Sequence, residues 1–178
     1  MCSSAVLAAE KPLTWPGPCE IASLCTDTRY ERMPRVDTAS ATPEQQAILE
    51  EIAASPRKCA FGPFGVLLRV PELLKAVQAL GSQVHYSSTL PKALSEWATL
   101  IVGRELQSPY IWYIHLPAAL SAGVQPDVLN ALALQQKSVN MSAEETLIYA
   151  FVIELMRTHS VSDKIYGQTV QHSGERRY

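Results

Sequence analysis

Pro71-Glu72-Leu73-Leu74-Lys75-Ala76-Val77-Gln78-Ala79-Leu80-Gly81-Ser82-Gln83-Val84 is the stretch on which the fold reading turns. Leu73, Leu74, Val77, Leu80 and Val84 recur at helical spacing, so one apolar stripe is expected to face a core while Lys75, Gln78 and Ser82 stay in water. Just upstream, Gly62-Pro63-Phe64-Gly65 breaks the pattern as a packed turn between Cys59 and Val70. Further upstream, Thr42-Pro43-Glu44-Gln45 opens a helix that should run to Ala54. There Thr can cap free amides, Pro fits the first turn, and Gln can complete a capping box.

Downstream, the break Ser87-Ser88-Thr89-Leu90-Pro91 gives way to a helix from Lys92 to near Leu106. Leu94, Trp97, Ala98, Ile101 and Val102 share one broad side of it, and it carries Glu96. Ser108-Pro109 reads as an N-cap followed by Pro at the first helical position. The helix it opens should reach Ala122, close at Gly123 and bend at Pro117, and it carries His115. Gln125-Pro126-Asp127 starts another, with Val128, Leu129, Leu132 and Leu134. Ser142-Ala143-Glu144-Glu145 is a capping box for an amphipathic helix whose stripe is Leu147, Ile148, Phe151, Val152, Leu155 and Met156. Ser162 can cap a last short helix through Ile165 and Val170. The expectation is an all-α, compact multi-helix domain of about seven helices over residues 36–172. It lies between an irregular arm (1–35), broken by Pro12, Pro16, Gly17, Pro18 and Pro34, and a polar tail (173–178).

Composition narrows the classes of function. Of 178 residues, 47% are apolar and 18% charged, with a formal charge of -2, which suits a globular chain and gives no general attraction to nucleic acid or acidic membranes. No apolar run approaches the ~20 residues of a bilayer span. The patch Ala5 to Ala9 is too short for a signal peptide and lacks a basic start, so a cytoplasmic location is expected. Cys2, Cys19, Cys25 and Cys59 show no Cys-x-x-Cys spacing and read as free thiols, with no zinc or redox motif.

Leu94-Ser95-Glu96-Trp97-Ala98-Thr99-Leu100-Ile101-Val102-Gly103-Arg104, followed by Tyr110-Ile111-Trp112-Tyr113-Ile114-His115 and Ala122-Gly123, resembles the carboxymuconolactone decarboxylase-like family. The likeness runs from about Arg35 to Val170 and takes in Gly62-Pro63-Phe64, the Ser88-Thr89-Leu90-Pro91 turn and Val161-Ser162-Asp163. It implies an all-helical fold that assembles into homotrimers or hexamers, with a small pocket between helices and neither metal nor organic cofactor. Family chemistry is either decarboxylation of a lactone with proton delivery to the dienol, or thiol-based peroxide reduction in the alkyl hydroperoxidase D branch. Some fungal relatives tailor aromatic polyketides.

The two thiol positions of the redox branch fall on Ser108 and Ile111, neither of which can form a thiolate, so the resemblance points to the non-thiol branch. Ile111 also stands where decarboxylase-like relatives carry Glu, and it can neither hold charge nor accept a proton. Such relatives continue into one more apolar helix where this sequence reads Gln171-His172-Ser173-Gly174-Glu175-Arg176-Arg177-Tyr178.

Loss of carbon dioxide or migration of a proton needs a place for negative charge and an acid or base near the reacting carbon. His115, with a reference pKa near 6.5, suits general acid–base work. Glu96, set among apolar neighbours, can orient it or share its proton. Arg104, about two turns along the same helix, can bind a substrate carboxylate. Tyr110 or Tyr113 can donate to an enolate oxygen, Ile111 would dry the pocket, and His85 and Tyr86 are further lining candidates. Each has a structural alternative: a satisfied core histidine, a buried ion pair for Glu96, a helix-end partner for Arg104, packing for the aromatics. The expectation is a cofactor-independent lyase or isomerase acting on a small lactone, carboxylated or enol substrate. The alternative is a noncatalytic oligomeric protein that binds small molecules or serves as a scaffold.

Overall fold

The structure is a computed structural model that describes Met33 and residues 36–173. Among these residues there are eight α-helices and no strand, so the all-α reading stands. The helices are α1 (Pro43–Ala54), α2 (Pro63–Leu67), α3 (Pro71–Tyr86), α4 (Lys92–Glu105), α5 (Pro109–Ser121), α6 (Pro126–Ala133), α7 (Ala143–Thr158) and α8 (Asp163–Ser173). The helix not expected is α2, a single short turn of helix inside the Gly62-Pro63 turn. Gly62 precedes it with φ of 56°, a left-handed conformation that a residue without a side chain adopts at little cost. The expected arm and tail lie outside the described residues, apart from Met33 and Ser173. No described helix is long and apolar enough to cross a membrane.

The chain divides after Pro71 into two compact units. In the first, Thr42 and Gln45 form the expected reciprocal cap at the start of α1. Gln45 Nε2 also donates to Leu68 O at 3.1 Å and so ties α1 to the end of α2. The Arg57 guanidinium lies 4.1 Å from the centre of the Phe64 ring. Cys59 is disulfide-bonded, which corrects the expectation of four free thiols; the other three cysteines lie outside the described residues.

The second unit is organised around α4. Leu94, Trp97, Leu100 and Ile101 on that helix are buried with Ala119 of α5, Val124, Val128, Leu129 and Leu132 on and before α6, and Ile148 of α7. Glu96 and Gly103 are buried as well, so α4 is covered on nearly every side, as befits a central helix. Local signals set the surrounding elements: Ser108 accepts from Ile111 N at the start of α5, and Ser142 with Glu145 closes a capping box on α7. Gly123, at φ of 100°, follows the end of α5. Pro117 stands inside α5 and removes one rung of its hydrogen-bond ladder.

The inward face of α3 differs from the expectation. Leu74 is 0% exposed and Gln78 is buried, whereas Leu80 is 67% exposed and Leu73 and Val84 are exposed too. The covered face follows Leu74, Val77, Gln78, Gly81, Ser82 and His85, and it ends at the histidine that joins the site. Similarly, only Ile148 of the α7 stripe is fully buried, with Leu155 exposed.

Candidate active site

Glu96 and His115 come from neighbouring helices whose shared seam the sequence sets out. Glu96 and Gly103 are seven residues apart on α4, hence on one face, and His115 and Ile111 are four apart on α5. Glu96 meets His115, and Gly103 meets Ile111. At the second contact, a β-carbon built on Gly103 would lie 2.5 Å from Ile111 Cγ2, so the absence of a side chain there is what lets the two helices approach. At the first, His115 Nδ1 lies 2.8 Å from Glu96 Oε2.

A carboxylate with 0% exposure would be costly if left alone, since stripping water from one ion costs several kcal/mol. Burial pushes the Glu96 carboxyl up, but the hydrogen bonds and positive charges of His115 and Lys92 outweigh it, and the net effect holds the group below its ordinary range. Glu96 is thus an acceptor, and His115 Nδ1 is the nitrogen that carries the proton between them. His115 Nε2 is the nitrogen that Glu96 does not engage, on a side chain that retains 19% exposure. A carboxylate fixing one ring nitrogen so that the other exchanges protons is an established base-and-orienter arrangement.

The second carboxylate oxygen, Oε1, faces the Lys92 ammonium in an ion pair. His85 Nε2 lies 3.7 Å from the same oxygen and 3.0 Å from Lys92 Nζ. Its ring stands edge to face with that of His115, centroids 5.9 Å apart. Among the described residues, no group of three His, Cys, Asp or Glu side chains is placed to hold a metal ion; between Glu96 and His85 the positive group is Lys92.

No family model, no curated protein and no solved structure matches the chain.

Of the residues singled out in the sequence, Glu96, His115 and His85 come together. Arg104 does not join them: it lies about 12 Å further along α4, and its Nε donates to Ala133 O at 3.1 Å, fastening α4 to the end of α6. Tyr110 is exposed in the first turn of α5. Tyr113 is half-buried two residues before His115, a spacing that sends the two side chains to different faces. Ile111 shares the face of His115 and is packed on Gly103.

Lys92 was missed, although the sequence held a signal for it. It lies four residues before Glu96, in the first turn of α4, where the helix dipole disfavours a cation and where Lys before Glu is the weaker order for such a pair. A lysine in that place is poorly explained by helix stability alone.

An open cleft of about 370 Å³ lies between α7 and α8, lined by Leu147, Gln168, Gln171 and His172. His172 Nε2 is 3.6 Å from Glu144 Oε1 there, with both side chains well exposed. That pair lacks the buried carboxylate that makes Glu96 distinctive.

Proposed function

We propose that the chain is a cofactor-independent lyase or isomerase that moves a proton on a small lactone, carboxylated or enol substrate, His115 Nε2 carrying the proton and Glu96 fixing the ring. The observation that carries this reading is the 2.8 Å contact between His115 Nδ1 and a Glu96 carboxylate with no exposure. An ion pair kept for stability gains little from such burial, because desolvation offsets most of the attraction. A proton-transfer site gains a histidine held in one tautomer.

The resemblance to the non-thiol branch of the carboxymuconolactone decarboxylase-like family supports the same substrate class and adds homotrimeric or hexameric assembly as part of the proposal. Two positions speak against the thiol branch, although Ile111 also departs from the Glu that decarboxylase-like relatives carry there. Ser108 spends its hydroxyl on the cap of α5, and Ile111 is a packing residue against Gly103. On location, the Cys59 disulfide weighs toward an oxidising compartment, against the cytoplasmic expectation drawn from the N-terminal sequence.

The test is turnover of a panel of lactones and phenolic enols by the parent, His115→Ala and Glu96→Gln, with products read by mass and deuterium incorporation. Loss of general acid–base catalysis should slow His115→Ala by about 10²-fold or more. Equal turnover in all three overturns the assignment, and binding without conversion in the parent favours the noncatalytic role. Native mass measurement tests the assembly.

A further inference from the structure

The proton transfer proposed above uses one oxygen of Glu96, yet both oxygens are engaged. On the Oε1 side, Lys92 Nζ and His85 Nε2 are 3.0 Å apart. An ammonium has three N–H groups and no lone pair, so at this contact Lys92 donates and His85 Nε2 accepts. That requires the neutral His85 ring to carry its hydrogen on Nδ1. The proton between the two nitrogens therefore sits on Lys92, and with the Glu96 carboxylate the three groups sum to zero charge.

The two ends differ in their access to water. Lys92 is 47% exposed and His85 28%, while the carboxylate between them and His115 is fully buried. Tyr86 flanks the Lys92 end, its ring 4.8 Å from that of His85 and 6.0 Å from Lys92 Nζ. Among the described residues, the charged and titratable groups seen around Glu96 are Lys92 from α4, His85 and Tyr86 from α3, and His115 from α5. From α7, the ring packed on α4 is Tyr149, which stacks on Trp97.

We propose that Lys92 and His85 form a second proton-carrying end of the site, so that the buried Glu96 carboxylate couples two accessible proton positions. This rests on the reading of His115 as the proton-carrying group, and it favours a small enolisable substrate that loses a proton at one carbon and gains one at another. His115 Nε2 takes a proton from the acidic carbon, and the C–H bonding pair becomes the enolate. The Lys92–His85 end supplies a proton to the far carbon, where the enolate pair forms the new C–H bond. His115 Nδ1 then passes its proton to Glu96 Oε2, the neutral carboxyl turns about its Cγ–Cδ bond and gives that same proton to the emptied amine end, and the proton left on Nε2 makes the ring neutral. Loss of the Nε2 proton to water and uptake of one from water on Nδ1 restore the starting state. One C–H bond is broken and one formed, and no oxidant, reductant or co-reactant takes part.

The experiment uses the full chain labelled with nitrogen-15 in histidine, with ring tautomers and exchange of the His115 Nδ1 proton with water read by NMR. Wild type should show a lone pair on His85 Nε2 and a hydrogen-bonded proton on His115 Nδ1. In Lys92→Met, His85 should shift toward the Nε2–H tautomer. Lys92→Arg keeps the positive charge but does not give up a proton, so the fold and the His115 signal should persist while exchange of the Nδ1 proton slows by about tenfold or more. Unchanged exchange in Lys92→Arg, or an unchanged His85 tautomer in Lys92→Met, overturns the two-ended coupling and leaves Lys92 a counter-ion. Absence of the bonded His115 Nδ1 proton in wild type would instead remove the His115 reading itself, so the two failures are distinguishable.

Discussion

Ile111 Cγ2 occupies the space into which a side chain on Gly103 would grow, 2.5 Å from the position of its first carbon. Helices α4 and α5 meet at this point, and the Glu96–His115 contact lies two turns away along α4. Gly103→Ala should therefore cost about 1–3 kcal/mol through overpacking, even though alanine is the better helix former. Thermal or urea unfolding measures it. Ile111→Ala in the same chain should recover part of the loss, so that the two substitutions are strongly non-additive; additive losses would mean that the seam adjusts by moving elsewhere.

Acid should weaken the fold through Glu96. Its carboxyl is held below the ordinary range in the folded chain, burial being outweighed by His115 and Lys92. A depressed folded value means that the stabilisation is fully present above the unfolded value of about 4.3 and is lost as pH falls through the folded one. Unfolding free energies taken from neutral pH down into that acid range should fall more steeply in wild type than in Glu96→Gln. Parallel curves would show that the interaction contributes nothing to the linkage.

Most of the fold was legible because most of its signals are local. Thr42 with Gln45, Ser108 before Pro109, and Ser142 with Glu145 each specify a helix start within four residues, and each forms the cap its sequence describes. Glu96 and His115 were legible as residues on two adjacent helices. Their partner Lys92 was not singled out, because its unfavourable place in the first turn of α4 is a weak signal until the carboxylate four residues on proves to be buried. Periodicity failed on the facing of α3 for a related reason: it gives the angular spread of apolar residues but not the angle at which neighbours meet the helix. The covered face holds Gln78 and His85 as well as Leu74.

That facing makes a direct comparison possible between two leucines of α3. Leu74→Ala removes a side chain with no exposure and should cost about 2–5 kcal/mol. Leu80→Ala removes one that is 67% exposed and should change stability by less than about 0.5 kcal/mol at low protein concentration. A larger loss at Leu80 that appears as the protein concentration is raised and fades on dilution would show that another copy of the chain covers it.

Glu96 and Trp97 are adjacent in the chain, but the first meets α5 and the second α7, so on the proposed function they separate chemistry from stability. Trp97 Nε1 donates to Glu145 O of α7 at 3.0 Å, and its ring stacks on Tyr149 with centroids 6.3 Å apart. Trp97→Phe keeps most of the apolar volume but leaves the Glu145 carbonyl without that donor, so it should cost about 1–3 kcal/mol. Glu96→Gln keeps the shape of the side chain and removes the charge that holds His115, so it should reduce turnover far more than it lowers the melting temperature. Melting curves and turnover measured on both variants should therefore rank them in opposite orders. If Trp97→Phe lost turnover as severely as Glu96→Gln while still folded, the site would depend on the α4–α7 contact as well as on the α4–α5 seam.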